Sequence, residues 1–345
     1  MKIELDMRCT GNCRLFYHFI FVLPLIFACS CSNELEVNEP VPTNKPIIYF
    51  LLNPGDSVQV MRLQSAFLGI GDALETAQNP DSIYPYGSNV VLQQIEQGQV
   101  VASYPMEAVP DQIKDPGIFA ENGHLLYKFN RKIVAGTTYR MQVNLPDGRP
   151  AIEAEATPYN HLEVTEVNRW PNGINMVNAK FARVKWISLP ETETYQLTIT
   201  YNYYDITETD TIHRSVAWKL PRVTSSSTLG GEELDMVVPI EKWYLYLSDH
   251  IPVDEDIVKR VAGRFDYRWD FAGTALESYL MQEQTMENGF LSDYTQFSNI
   301  PGAIGIFTYR SYHEVKGYSI SLYTLERLTT HPSTKDMRFD GRQYW

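Results

Sequence analysis

Short apolar runs of roughly four to eight residues recur along the chain, each closed by turn-forming residues, which is the pattern of strands. Ile47–Asn53 is such a run, closed by Asn53-Pro54-Gly55-Asp56. Ser57–Leu63 alternates behind it, with Val58 and Val60 against Gln59 and Met61. Residues 69–87 read as a long loop. Asn89–Gln94 and Val100–Tyr104 flank Glu96-Gln97-Gly98-Gln99, which predicts a hairpin. Leu125–Phe129, Thr138–Asn144 and Ala151–Ala156 predict three more strands, the last two joined by the turn Pro146-Asp147-Gly148-Arg149. About seven strands in about 110 residues is the size of one sandwich, and Thr157-Pro158 closes it.

A second unit begins near His161. Leu162–Val167, Phe181–Ile187, Thr194–Tyr203 and Ile212–Trp218 predict strands. The stretch Ala182-Arg183-Val184-Lys185-Trp186 followed by Tyr195-Gln196-Leu197-Thr198-Ile199 resembles the middle of a fibronectin type III domain, where a strand tryptophan packs on a later strand's tyrosine. Arg264–Phe271 alternates strictly, with Phe265, Tyr267, Trp269 and Phe271 on one face and Arg264, Asp266, Arg268 and Asp270 on the other. Ala303–Tyr309 and Tyr318–Leu325 follow as strands. Ile240, Trp243, Tyr244 and Leu247 fall on one helical face, and Thr274-Ala275-Leu276-Glu277 reads as a capping box. The expected fold is mainly β. It consists of tandem immunoglobulin- and fibronectin-like β-sandwiches over residues 47–158 and 159–345, the second with helical insertions.

The first 46 residues follow different rules. Residues 15–28 form an apolar run flanked by Arg8 and Arg14, shorter than the ~20 residues of a membrane span, so residues 1–28 read as a signal peptide. Glu4 and Asp6 are unusual in such a flank and leave Met7 as an alternative start to Met1. The run ends Leu25-Ile26-Phe27-Ala28-Cys29-Ser30-Cys31, which resembles a bacterial lipobox. Cys29 follows Ile26 by three positions and Ala28 by one; Cys31 stands likewise to Ala28 and Ser30. Either cysteine would carry the lipid, and several acyl chains suffice for stable anchoring. Residues 29–46 are polar, acidic and proline-rich, the composition of an extended tether. Acidic residues just past the cysteine also resemble a surface-export signal of Bacteroidota lipoproteins.

Composition narrows the chemistry. With 42 acidic and 29 basic residues the net charge is −13, which disfavours nucleic acid as a partner. All four cysteines, Cys9, Cys13, Cys29 and Cys31, lie in the first 31 residues, so no thiol site is expected in the folded part. The sequence contains no His-Glu-x-x-His, Walker loop, G-x-G-x-x-G or G-x-S-x-G. The seven histidines are scattered. Asp254-Glu255-Asp256 could offer oxygens to calcium, but reads better as a helix N-terminus followed by Lys259 and Arg260. No cofactor, metal or catalytic residue is expected. Aromatic clusters are the binding candidates: Tyr84 and Tyr86, and Tyr294 and Phe297, on predicted loops, whereas Tyr201 and Tyr203 read as core.

Several motifs together resemble one family. They are the lipobox and acidic tether, the run Ile47–Asn53 with its turn, Ala135-Gly136-Thr137-Thr138-Tyr139 leading into a strand, and Thr157-Pro158. Leu276-Glu277-Ser278-Tyr279-Leu280 and Ser298-Asn299-Ile300-Pro301-Gly302-Ala303-Ile304-Gly305-Ile306-Phe307 complete the set. The chain resembles a domain-of-unknown-function family of Bacteroidota outer-membrane lipoproteins, commonly encoded beside TonB-dependent receptors. Pro301-Gly302-Ala303 departs from the more Gly-rich sequence usual there. The resemblance implies lipid anchoring at the outer membrane, surface exposure and a TonB-dependent receptor as partner, with no catalytic residues to carry over. The expected function is therefore a non-catalytic accessory or ligand-binding partner of a transporter. The alternatives are a structural or adhesive β-sandwich protein and a hydrolase with an unrecognised site.

Overall fold

Alternating side chains make strands here because every second residue can be buried while the main chain bonds to a neighbour. The computed structural model describes residues 45–66, 73–110, 112–113, 115–120, 122–177, 180–287 and 297–344. The first strands are β1 (Lys45–Leu52), β2 (Gln59–Ala66), β3 (Asn89–Glu96), β4 (Gln99–Pro105), β5 (Glu107–Val109), β6 (Leu126–Phe129), β7 (Thr138–Asn144) and β8 (Ile152–Ala156). The later ones are β9 (Val164–Val167), β10 (Phe181–Ile187), β11 (Thr194–Ile206), β12 (Thr211–Thr224), β13 (Glu233–Pro239), β14 (Lys259–Ala272), β15 (Ile304–Tyr318) and β16 (Phe339–Gln343). Helices Ile240–His250, Thr274–Glu287 and Leu322–Thr330 are set among the later strands. On β1, Ile48, Phe50 and Leu52 are buried; on β14, Phe265, Tyr267, Trp269 and Phe271 are.

These elements build tandem β-sandwiches. In the first, β5-β6-β2-β1, one end of a nine-stranded sheet that continues through β15 to β14, β11 and β12, lies against the sheet β4-β3-β7-β8. Tyr104 and Phe129 meet across the gap with ring centroids 5.5 Å apart, and the Tyr127 hydroxyl donates to the Ser88 carbonyl at 3.3 Å. In the second, β12-β11-β14-β15, with β16 beside β14, faces β13-β10-β9. Trp186 on β10 meets Tyr195 at 5.9 Å and Trp269 at 6.2 Å, the first being the tryptophan–tyrosine contact of the fibronectin-like pattern. Helix Ile240–His250 buries Ile240, Trp243, Tyr244 and Leu247, as its spacing predicts, and Trp243 meets Tyr201 edge-on at 5.7 Å.

Strand β15 serves both sandwiches. Ile304–Tyr309 runs parallel to β1, then Arg310–Tyr318 runs antiparallel to β14. The units expected at 47–158 and 159–345 are therefore corrected in one respect: the first is completed by a strand from the last part of the chain. Alternation cannot reveal this, because it specifies a buried face and not a partner. Gly305 makes the pairing sterically feasible. Its φ is +110°, and a Cβ there would lie 2.0 Å from the Ile48 carbonyl oxygen, a position only glycine can occupy.

Three local features complete the picture. The predicted hairpin at 96–99 turns through Gln97 and Gly98, with φ of 50° and 78°, the geometry that matches strand twist. The expected long loop at 69–87 contains the short helices Ala73–Ala77 and Pro80–Ile83, the second capped by the Asn79 side chain. Asp254-Glu255-Asp256 heads a turn and not a helix: Asp254 Oδ1 accepts from the Asp256 N–H at 3.0 Å. Lys259 and Arg260 already belong to β14, where pairing with β11 overrides the helical reading.

Candidate functional site

Cys29, Cys31 and Tyr294 lie outside the described residues. Tyr84, expected on a loop, is only 1% exposed, its ring 6.1 Å from Tyr86 and 5.8 Å from His124. Tyr86 keeps 39% of its surface, but its hydroxyl donates to the Gly123 carbonyl at 2.7 Å. This pair thus holds Gly123 and His124 against the first sandwich. Phe297 is half-buried and lines a cavity of about 360 Å³ with Phe307 and Tyr309, its N–H donating to Gln282 Oε1. Tyr201 and Tyr203 are buried, as their strand setting predicts.

The histidines hold structure together. His331 Nε2 lies 2.9 Å from Glu241 Oε2, its ring stacked on Tyr244 at 4.2 Å. His124 Nδ1 meets the Gln112 carbonyl at 3.2 Å. His313 sits edge-on to His161 at 4.9 Å, and burial, then the neighbouring ring, push it below its ordinary value. Among the described residues no three His, Cys, Asp or Glu side chains come together to hold a metal ion.

Two other places combine exposure with a built surface. The first surrounds Trp170, a residue 55% exposed whose ring stacks on Tyr323, 43% exposed, at 5.5 Å and 15°. Its loop is fixed: the Trp170 N–H donates to the Gly173 carbonyl at 2.8 Å, and Asn175 Nδ2 donates to the Trp170 carbonyl at 3.0 Å. The Ile174 N–H, in turn, reaches the Ser319 carbonyl at 2.7 Å. Leu322, next to Tyr323, is 77% exposed. Beside them lies a cavity of about 500 Å³ lined by Pro171, Ile320, Leu322 and Leu325, with Asn172 and Arg342 at its polar margin. Sequence reasoning missed Trp170 because an isolated tryptophan between strands belongs to no periodic face.

The second place is the outer face of the second sandwich, where β15 passes from β1 to β14. A cavity of about 460 Å³ opens there. Gln196 on β11, Arg222 on β12, Asp270 on β14 and Tyr312 on β15 lie on one rung of the sheet. Arg268 reaches Asp270 Oδ1 through Nε at 2.9 Å and Nη2 at 2.7 Å, and its guanidinium lies 3.9 Å from the Tyr312 ring centre. The Asp270 hydrogen bond raises the Arg268 pKa above its ordinary value, so the side chain stays charged. Asn53, from the turn after β1, closes one side.

No family model matches the chain, and no curated protein matches it. Among solved structures it is similar to a cytokine receptor complex, at 11% identity over 67% of this chain and 86% of that one, with a TM-score of 0.18. It is also similar to the FN1–FN3 domains of chicken CNTN1, at 11% identity over 67% and 62% of the two chains, with a TM-score of 0.20. A third likeness is to the C-terminal globular domain of an oligosaccharyltransferase from Pyrococcus abyssi, at 10% identity over 64% and 45%, with a TM-score of 0.21. The chain thus spans less than two thirds of the length of the latter two.

Proposed function

We propose that the chain is a non-catalytic surface lipoprotein, anchored in the outer membrane through Cys29 or Cys31, that works as an accessory partner of a TonB-dependent receptor. The observation that carries this reading is the exposed Trp170–Tyr323 pair with Leu322 beside an apolar cavity. Rigid aromatic anchors next to a pocket are the usual centre of a protein–protein contact, and a contiguous exposed apolar patch marks such a contact. The lipid and tether add effective concentration, so a weak contact at the membrane becomes persistent. Pull-down of the lipidated protein from detergent extracts is expected to recover an outer-membrane barrel, with recovery lost in Trp170→Ala/Tyr323→Ala. Equal recovery by that double variant, or recovery of no barrel, would count against it. Changing both Cys29 and Cys31 to Ala is expected to abolish acyl labelling.

A second reading, a structural or adhesive β-sandwich protein, is favoured by the shared strand β15, which joins the two sandwiches into one load-bearing piece. Recovery of filament or adhesin subunits in the same pull-down, in place of a barrel, would select it.

A further inference from the structure

We propose that the cavity at the crossover of β15 is a binding site for a small acidic saccharide, a sugar acid of one or two rings carrying carboxylate. It lies apart from the Trp170–Tyr323 patch and shares no lining residue with the cavity there.

Charge is the first reason. The chain carries 42 acidic and 29 basic residues, yet Lys219, Arg222, Arg268 and Arg310 all line this cavity against only Asp270 and Glu277. Strand register enforces the gathering: Lys219 and Arg268 both pair with Thr198, from opposite sides of β11, and Arg310 pairs with Ala272 two residues beyond Asp270. Like charges held on one sheet face repel unless an anion joins them. The two acidic residues do not neutralise the group. Asp270 is engaged by Arg268 at 2.7 Å, and Glu277 stands 3.8 Å from Arg222. Among the described residues Lys219 and Arg310 have no ion pair or side-chain hydrogen bond. Two cations therefore remain available for a carboxylate, and the arginine can take it in a two-point fork.

The other lining groups fit a sugar. Thr194 and Gln196 offer a hydroxyl and an amide on the cavity wall. Gln196 Nε2 already donates to the Leu220 carbonyl, which leaves its amide oxygen to accept from a ligand hydroxyl. A volume of about 460 Å³ falls in the range of small-ligand sites. The floor is rigid, because the inward neighbours of its residues, Tyr195, Leu197, Trp269 and Phe271, are buried. Arg268 is fixed from two directions by Asp270 and the Tyr312 ring. Preorganisation of this kind lowers the entropic cost of binding.

Calorimetry on the full chain with digalacturonate as probe tests the assignment, with maltose as the neutral sugar and citrate as the non-saccharide anion. Digalacturonate is expected to bind with an affinity that falls as salt rises, and maltose and citrate to bind at least tenfold more weakly. Arg310→Gln and Lys219→Gln are each expected to weaken digalacturonate about tenfold. Arg264→Gln, an exposed cation on β14 outside the cavity, is expected to leave it unchanged. Both test positions are exposed, and unchanged thermal melts would confirm that the variants fold. No binding of digalacturonate, equal binding of citrate, or binding indifferent to Arg310→Gln and Lys219→Gln would overturn the proposal. The receptor pull-down reads out the Trp170–Tyr323 patch, so neither result decides the other.

Discussion

The two sandwiches fill their interiors in different proportions. The first mixes aliphatic side chains, Ile48, Leu52, Met61, Leu63, Val90, Leu92, Met141 and Val143, with the rings of Phe50, Tyr127, Phe129 and Tyr139. In the second larger rings dominate beside Val184, Leu197 and Ile199: Trp186, Tyr195, Tyr201, Tyr203, Phe265, Tyr267 and Trp269, with Trp243 and Tyr244 brought in by a helix. Large rings bury more area per residue, which suits strands as long as β11, β12 and β14. They also bring polar tips into a dry interior. Trp186 Nε1, Trp269 Nε1 and the Tyr201 hydroxyl are buried without a hydrogen-bond partner among the described residues, and each such group costs about 1–3 kcal/mol. Burial raises the Tyr201 and Tyr267 hydroxyls well above their ordinary range. The second core thus gains area while tolerating unsatisfied groups, whereas in the first the buried Tyr127 and Tyr139 hydroxyls are both bonded.

The largest expected difference between the halves is in truncation. Trp269→Ala should destabilise the chain by roughly 3–5 kcal/mol, whereas Ile48→Val should cost about 0.5–1.5 kcal/mol, both read from denaturant midpoints. Equal losses would show that the rings contribute no more than aliphatic packing does. Next comes Gly305→Ala, which places a methyl group against the Ile48 carbonyl at a positive φ. A loss of about 2 kcal/mol or more is expected. Hydrogen-exchange protection should fall in β1 and β14 together, because β15 pairs with both. Protection lost in β1 alone would mean the sandwiches are energetically separate.

A smaller effect isolates the polar tips. The Tyr195 hydroxyl accepts the Leu189 N–H at 2.6 Å, so Tyr195→Phe should cost about 1 kcal/mol, while Tyr201→Phe should be neutral or stabilising by up to ~1 kcal/mol. Thermal melts of the two variants would reverse in order if Tyr201 had a hidden partner. The smallest effect concerns pH. Burial, then His161, lower His313 below 6.5, so the unfolded chain binds more protons than the folded one. The stability of the neutral ring is fully present above pH 6.5 and is lost as pH falls through the lowered value. His313→Gln should flatten that part of the acid limb in melts compared across pH, and an unchanged limb would refute it.

What the sequence made legible was local. The strict alternation of Arg264–Phe271, the helical spacing of Ile240, Trp243, Tyr244 and Leu247, and the turn at Gln97-Gly98 each depend on neighbours a few residues away. The Trp186–Tyr195 contact came from a pattern spread over only fifteen residues or so. The crossover cavity was invisible for the opposite reason. Asn53, Lys219, Arg222, Arg268 and Arg310 are far apart in the chain, and only register puts them together. Read singly, Arg268 and Asp270 are the solvated face of an alternating strand, which they also are. Tyr84 looked available because the segment that packs on it, at His124, lies forty residues on. Whether a loop aromatic is exposed is decided by what folds over it, and periodicity does not carry that information.

The shared strand also sets an order of assembly. β1 is among the earliest described residues to be synthesised, yet its parallel neighbour begins at Ile304. Until that segment exists, the hydrogen-bonding edge of β1 that faces away from β2 has nothing native to bond. An unpaired edge beside Ile48 and Phe50 is prone to mispairing. Long-range parallel pairing is also slow to form, since the intervening chain must first be gathered in. The first sandwich therefore cannot finish folding in step with its own synthesis, and a chain cut short after β14 would leave two incomplete sandwiches instead of one complete and one missing.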